Sequence, residues 1–203
     1  GNYFKSDRSN QNVWFEIPGR LEQVGWEKMI TSQRVTRPVR LMDMLWTAFS
    51  KRHSYDIALV DVFSGAAFTW AEMTARLLKL LKKPFVLNLR GGNLPEFARQ
   101  FSFRVEKTLE SANKVISPSA YLQVQLKGLR RDIAVIPNPI DIETYPCRCR
   151  AEVRSDLVWV RAFHNIYNPS LAPKVLNLLM EKWPGVRLTM VGPDKGDGSL
   201  ERM

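Results

Sequence analysis

The chain has 203 residues, 45% of them hydrophobic and 25% charged, which suits one well-buried globular core or one domain with part of another. No apolar run reaches the length of a membrane span, and the first residues lack the pattern of a signal peptide. Thirty Lys and Arg against 20 Asp and Glu leave a net charge of +10, a balance that favours anionic partners such as phosphates, nucleotides, nucleic acid or an acidic membrane surface.

In chain order, Gly1-Asn2-Tyr3-Phe4 reads as a turn already under way, and residues 5–12 are polar. Ile17 to Val24 predicts a short helix ended by Gly25 as a left-handed cap, and Lys28 to Ser32 predicts a strand around Met29-Ile30-Thr31. Arg34 to Arg40 carries three arginines. Pro38 then opens a helix to about Lys51, with Leu41, Met44, Leu45, Ala48 and Phe49 on one face. Ile57 to Val62 is an apolar run broken only by Asp61, the pattern of a strand buried on both faces. Asp61 either points into a cleft or caps the Ser64-Gly65 turn, with the balance towards the turn. Ala66 to Leu81 predicts a helix with Trp70, Met73, Leu77, Leu80 and Leu81 inward, while Lys79, Lys82 and Lys83 gather at its negative dipole end, a membrane-facing basic helix being the lesser alternative. Glu72 and Glu96, both on helices, read as solvent-facing, and His53 as a solvated dipole partner.

Pro84 to Leu89 is the next strand and runs into Arg90-Gly91-Gly92. Paired glycines expose backbone N–H groups and let a ligand approach, and Arg90 sets a cation at the carboxyl end of a strand, where open α/β sheets keep their sites. Asn93 is placed to cap a helix with Pro95 in its first turn and Glu96 three residues on. A helix over Phe103 to Ser111, a strand over Lys114 to Ser117, a helix from Ala120 to about Leu129 and a strand over Ile133 to Ile136 follow, ending at Pro137-Asn138-Pro139. Alternating strands and helices with short loops predict an α/β fold, a doubly wound Rossmann-like parallel sheet over residues 1–140. Residues 141–156, charged and holding Cys147 and Cys149, read as an interdomain connection. The one-residue cysteine spacing suits neither a structural disulfide nor a zinc site, so both read as free thiols in a reducing cytosol. Residues 157–203 form an incomplete second Rossmann-like unit: a strand at Leu157 to Val160 followed by Arg161, a helix from Pro169 to Trp183 capped by Asn168, and a strand at Val186 to Val191.

With Ile136-Pro137-Asn138-Pro139 in place, the order of segments resembles a retaining glycosyltransferase of the GT-B architecture, family 4 (group 1) type. Four pieces carry the resemblance over nearly the whole chain. They are Gly1-Asn2-Tyr3-Phe4, Leu89 through Pro95, the pair Val115-Ile116-Ser117-Pro118-Ser119 and Val135 through Pro139, and Trp159-Val160-Arg161 followed by Met190 through Asp194. The resemblance implies two Rossmann-like domains, a nucleotide-sugar donor, transfer with retention to an unidentified glycan, lipid or small-molecule acceptor, no cofactor and no metal. It implies donor-phosphate contacts from Gly1, Asn2 and Arg161. Arg90 would orient the acceptor, and Gly91, Gly92, Asn138 and His164 would line the cleft. A cytoplasmic site is expected, with peripheral contact at an anionic membrane.

The chain departs from that pattern in three ways. The strand expected before Gly1 and the part of the second domain carrying the donor-sugar glutamates are not in the sequence. The family's His stands as Arg90. No Lys follows Arg161 in Ala162 through Asn168. An inactive fragment, with self-association through unfilled sheet edges, is the resulting expectation. The alternative is a non-catalytic basic α/β module for nucleic acid or an anionic surface. Against it, Trp46, Trp70, Trp159 and Trp183 fall mostly on core-type faces rather than on a stacking platform. An epimerase of the same architecture would want acidic residues across the cleft, which the sequence does not offer.

Overall fold

The computed structural model describes residues 16–31, 36–139, 142–144, 149 and 155–203. It divides into two compact units, Gly1–Asp141 and Ile142–Met203. The division thus falls at the start of the expected 141–156 connection. Among the described residues no helix is long and apolar enough to cross a membrane.

In the first unit α1 (Glu16–Gln23) ends at Gly25, whose φ of 88° is the left-handed cap its sequence predicts. The strand expected over Lys28 to Ser32 does not form among the described residues: Trp26 to Thr31 run exposed and outside any ladder, and Ser32 lies outside the described residues. A short apolar triplet cannot hold an extended form without a neighbouring strand to pair with. Helix α2 (Arg37–Ser50) has Pro38 in its first turn. Then come β1 (Ala58–Val62), α3 (Ala66–Leu80), β2 (Phe85–Leu89), α4 (Leu94–Gln100), α5 (Ser102–Glu110), β3 (Lys114–Ser117), α6 (Ala120–Leu126) and β4 (Ile133–Val135).

The four strands are all parallel and lie side by side in chain order, β1-β2-β3-β4. This is the Rossmann-like alternation the sequence predicts. Strand order advances in one direction only, and the reversal that defines a doubly wound sheet is not among the described strands. Crossovers of one hand, stepping one way, deliver their helices to one face of the sheet. Burial follows: Val60, Val62, Phe85, Leu87, Leu89, Val115 and Ile133 are buried against α3, α4, α5 and α6. On the opposite face Leu59 is 48% exposed.

Helix α3 turns a different face inward from the one its large apolar residues suggest. Phe68, Ala71, Thr74, Ala75 and Leu78 are buried, whereas Leu80 is 79% exposed and Met73 is also exposed. The two alanines let the helix axis come close to the sheet, and small residues at the contact outweigh larger ones a step around the helix. Glu72, expected in solvent, is buried and accepts from Arg76 at 2.7 Å and Arg104 at 2.6 Å, tying α3 to α5. The indole of Trp46 is exposed, as is Trp183 in the second unit, so half of the tryptophans assigned to core faces stand in solvent.

The second unit pairs β5 (Asp156–Val160) in parallel with β6 (Arg187–Val191), joined through α7 (Leu171–Met180). Asn168 does not cap α7. It adopts a left-handed φ of 47° at the end of a 3-10 turn (Asn165–Tyr167), a conformation Asn tolerates, and α7 starts after the buried Pro169. Val158, Val160 and Val191 are exposed on the face of this two-stranded sheet that alternates with Leu157 and Met190.

Two substitutions test these packings. Leu87→Ala, at a fully buried position of β2, is expected to cost about 2–5 kcal/mol, read as a lower urea midpoint for the first unit. Gly192 sits so close to the chain after β5 that a methyl group there would run into the Arg161 carbonyl. Gly192→Ala is therefore expected to destabilise the second unit by about 1–3 kcal/mol, seen as faster proteolysis within residues 155–203.

Candidate functional site

The carboxyl ends of β1 and β2 carry a buried polar constellation. The register sets Asp61 beside Asn88, both on the face opposite the helical core. The Asn88 side-chain amide donates to Asp61 Oδ1 at 3.1 Å. One residue beyond β2, the Arg90 N–H donates to the Val62 carbonyl at 2.8 Å, extending the ladder past the strand end. This brings Arg90 Nε to 3.8 Å from Asp61 Oδ1, with both side chains less than a tenth exposed. Nη1 of Arg90 donates to Asn138 Oδ1 at 2.5 Å. Since β3 lies between β2 and β4, this bond reaches across the end of β3 and ties the loop after β2 to the Pro137-Asn138-Pro139 loop after β4.

The electrostatics follow from burial. Desolvation pushes the Asp61 carboxyl up from 3.8 to about 6, against the pull of the Arg90 charge and the Asn88 hydrogen bond. Burial lowers the Arg90 pKa, and the Asp61 charge opposes that shift. The lean towards Asp61 as a turn cap is corrected: its carboxylate faces Asn88 and Arg90, because strand pairing points it along the sheet face.

Gly91 has φ 84°, so the turn after Arg90 uses glycine's freedom directly, and Gly92 has open space where a side chain would project. Asn93 stands at the start of α4 but in helical conformation, without a side-chain cap bond, so the capping box expected there does not form. Beside it the Ser117-Pro118-Ser119 segment is held by its hydroxyls. Ser117 Oγ, fully buried, donates to the Ser119 carbonyl at 2.9 Å, and Ser119 Oγ accepts from Tyr121 N–H to cap α6.

In the second unit Arg161 and His164 meet around one ring. The exposed Arg161 guanidinium lies 4.9 Å from the centre of the Tyr167 ring, and the imidazole of His164 stands edge-on to it at 6.4 Å. His164 Nδ1 accepts from Ile166 N–H at 3.1 Å, which assigns the ring proton to Nε2. Asp197 closes the loop: its carboxylate accepts from the N–H groups of Asn165 at 2.7 Å and Ser199 at 3.0 Å. Those backbone hydrogen bonds hold its pKa down at about 2.

Arg90, Gly91, Gly92 and Asn138 are thus gathered in the first unit, and Arg161 and His164 in the second. Gly1 and Asn2 lie outside the described residues, as does Cys147; Cys149 is an exposed free thiol. Sequence reading passed over Asn88, Tyr167 and Asp197, and undervalued Asp61. A signal existed for two of them: Asp61 and Asn88 each interrupt an apolar strand one residue before its last apolar position. No three or more His, Cys, Asp or Glu side chains among the described residues are grouped to hold a metal ion. No protein-family model matches the chain, and no curated protein matches it.

The raised Asp61 pKa makes a pH prediction. Its proton is held more tightly in the folded state than in the unfolded one, so stability is greatest below the ordinary carboxylate pKa and falls as pH rises through the window from 3.8 to about 6. Relative to Asp61→Asn, the wild type is expected to lose about 3 kcal/mol of unfolding free energy across that window and to level off above it. Paired urea titrations over that range check it; parallel pH curves for the two proteins would refute it.

Proposed function

We propose that this chain is part of a GT-B glycosyltransferase that moves a sugar from a nucleotide-sugar donor to an acceptor hydroxyl with retention of configuration. The reading rests chiefly on one observation: Arg90, buried at the carboxyl edge of a parallel sheet, is bonded to Asn138, and both belong to the segments that resemble that family. Ligands of open α/β sheets bind at this edge, next to the point where strand order reverses. In this reading the whole sheet is doubly wound, and the reversal lies beside β1, next to Asp61 and Arg90.

The chemistry asks for two things. Transfer breaks the bond between the anomeric carbon and the diphosphate oxygen, forms a bond to the acceptor oxygen on the same face of the sugar, and passes the acceptor's hydroxyl proton to the departing diphosphate oxygen. Negative charge builds on the leaving diphosphate and needs fixed donors. Arg161, exposed at the end of β5 with its guanidinium stacked on Tyr167, is suited to pair with a phosphate bidentately. Backbone N–H groups of Gly1 and Asn2 are the further donors in this reading. On the acceptor side, Asp61 and Asn138 restrict the Arg90 guanidinium to one orientation, which favours a fixed pose for an acceptor hydroxyl or anionic group. Gly91 and Gly92 leave room for it. His164 lines the donor loop. No cofactor is consumed, and the setting is cytoplasmic.

Calorimetry with UDP, GDP and ADP tests the donor side. One nucleoside diphosphate is expected to bind in the micromolar range, and Arg161→Ala to weaken it about tenfold or more, the loss of one charge-assisted contact. Arg90→Ala should leave that affinity unchanged. Absence of binding to all three by the folded chain, together with salt-dependent binding of an oligonucleotide, would replace this reading with the non-catalytic basic module.

A further inference from the structure

We propose that Tyr167 positions Arg161 for the donor diphosphate and that the Nε2–H of His164 is the second hydrogen-bond donor of that seat. The inference rests on the sugar-transfer reading and adds two residues to its phosphate end. The loop after β5 is a fastened platform. The Arg161 N–H donates to the Val191 carbonyl at 3.0 Å, so the ladder with β6 runs on past the strand end. The Phe163 N–H donates to the Pro193 carbonyl at 2.9 Å, and the Lys195 N–H to the Phe163 carbonyl at 3.1 Å. The Asn165 N–H donates to the Asp197 carboxylate at 2.7 Å. Arg202 Nη2 donates to Asn165 Oδ1 at 2.9 Å and to the Asp197 carbonyl at 3.1 Å. Phe163 is buried, its ring centre 5.1 Å from that of Trp159. Residues 161, 163 and 165 are thus each tied to the segment after β6. The Tyr167 N–H then donates to the His164 carbonyl at 2.9 Å, closing the turn that brings the Tyr167 ring back to Arg161.

Arg161 is placed differently from its neighbours. Arg187 pairs with Asp156, and Arg202 bonds to Asn165. Among the described residues no carboxylate pairs with the Arg161 guanidinium, which lies over the Tyr167 ring instead. A guanidinium on an aromatic face uses its flat side there and keeps the N–H groups at its rim for a bidentate acceptor. The ring also removes part of the side chain's rotamer freedom before an anion arrives. His164 meets the same ring edge-on. Its Nδ1 accepts from the Ile166 N–H, so the neutral imidazole carries its proton on Nε2, on the side of the ring away from that bond, and the side chain is 44% exposed. The nearby carboxylates are engaged by backbone N–H groups, Asp194 by Gly196 at 2.9 Å and Asp197 by Asn165 and Ser199. A fixed cation and an N–H donor on one ring offer a contact to each phosphate of a diphosphate. A single carboxylate would be satisfied by Arg161 alone and would leave His164 unused.

Calorimetry on the full chain with inorganic pyrophosphate, UDP, GDP and ADP tests the seat. Tyr167→Leu is expected to weaken the preferred nucleoside diphosphate about threefold, the loss of an exposed cation–π contact. Tyr167→Phe, which keeps the ring, should bind as the wild type does. His164→Ala is expected to lose about tenfold, one hydrogen bond to a charged acceptor. His164→Gln, which keeps an N–H donor, should recover most of that loss. Pyrophosphate should follow the same order of variants, since the seat touches neither base nor sugar. Urea midpoints check that each variant keeps the second unit folded. If a nucleoside diphosphate binds and Arg161→Ala weakens it, while Tyr167→Leu and His164→Ala bind as the wild type does, this inference is overturned and the sugar-transfer reading stands. Equal losses in Tyr167→Leu and Tyr167→Phe would overturn the positioning role of the ring. If pyrophosphate binds with the expected order of variants and none of the three nucleotides binds more tightly than it does, the seat stands and the sugar-transfer reading falls. No binding of any of the four probes by the folded chain overturns both.

Discussion

The in-register pairing of β1 with β2 is the constraint on which the first unit depends. It sets Val60 beside Leu87 and Val62 beside Leu89, all four buried against the helices, and in the same stroke sets Asp61 beside Asn88 on the other face. A slip of one residue would exchange the two sets, burying a carboxylate and an amide in the apolar core and exposing leucines. The large free-energy difference between those arrangements makes the register unambiguous. The polar pair can then sit at a defined height near the carboxyl edge, where the Arg90 N–H takes the next ladder bond to Val62.

Holding Asp61 and Arg90 there is costly. Both side chains are nearly dry, and neither charge recovers its full hydration from the other across 3.8 Å. Two apolar residues at these positions would give a more stable sheet. The amide groups of Asn88 and Asn138 offset part of the cost, and they also restrict the guanidinium to one orientation. The constellation is bounded by Gly91 with its left-handed φ and by a loop between two prolines, so its polar groups are held in fixed positions. Glu72 is a different use of charge. Its partners Arg76 and Arg104 keep much of their exposure, and the cluster joins α3 to α5 without entering the edge of the sheet.

The two ends of the parallel sheet are chemically unlike. At the carboxyl ends of the strands the polar groups are few, buried and mutually bonded. At the amino ends of β1 and β2 Lys51, Lys79 and Lys82 are exposed, with Phe49 and Leu80 exposed at the ends of the preceding helices. Parallel strands bring this about because every strand enters from one end and leaves at the other, so helix termini and their lysines collect where strands begin.

Much of this was legible in the residues alone. The four strands of the first unit follow from apolar runs punctuated by Gly and Pro, and their parallel arrangement from the helices between them; β5, β6 and α7 were equally plain. Arg90 stood out because a charge follows an apolar strand directly. What local pattern could not decide was which side of a helix faces the sheet, and which polar residues meet. Ala71 and Ala75 outweighed Met73 and Leu80 because close approach of helix to sheet is a property of the packed pair, and it put Leu80 in solvent. Lys28 to Thr31 had the composition of a strand but joins no ladder, since a ladder takes a second strand brought alongside and composition cannot supply it. Asp61, Asn88, Arg90 and Asn138 are spread over 78 positions, and only strand order brings them into contact. Composition and periodicity thus determined the elements and their class. The tertiary structure decided burial and partnership, because those depend on which surfaces meet.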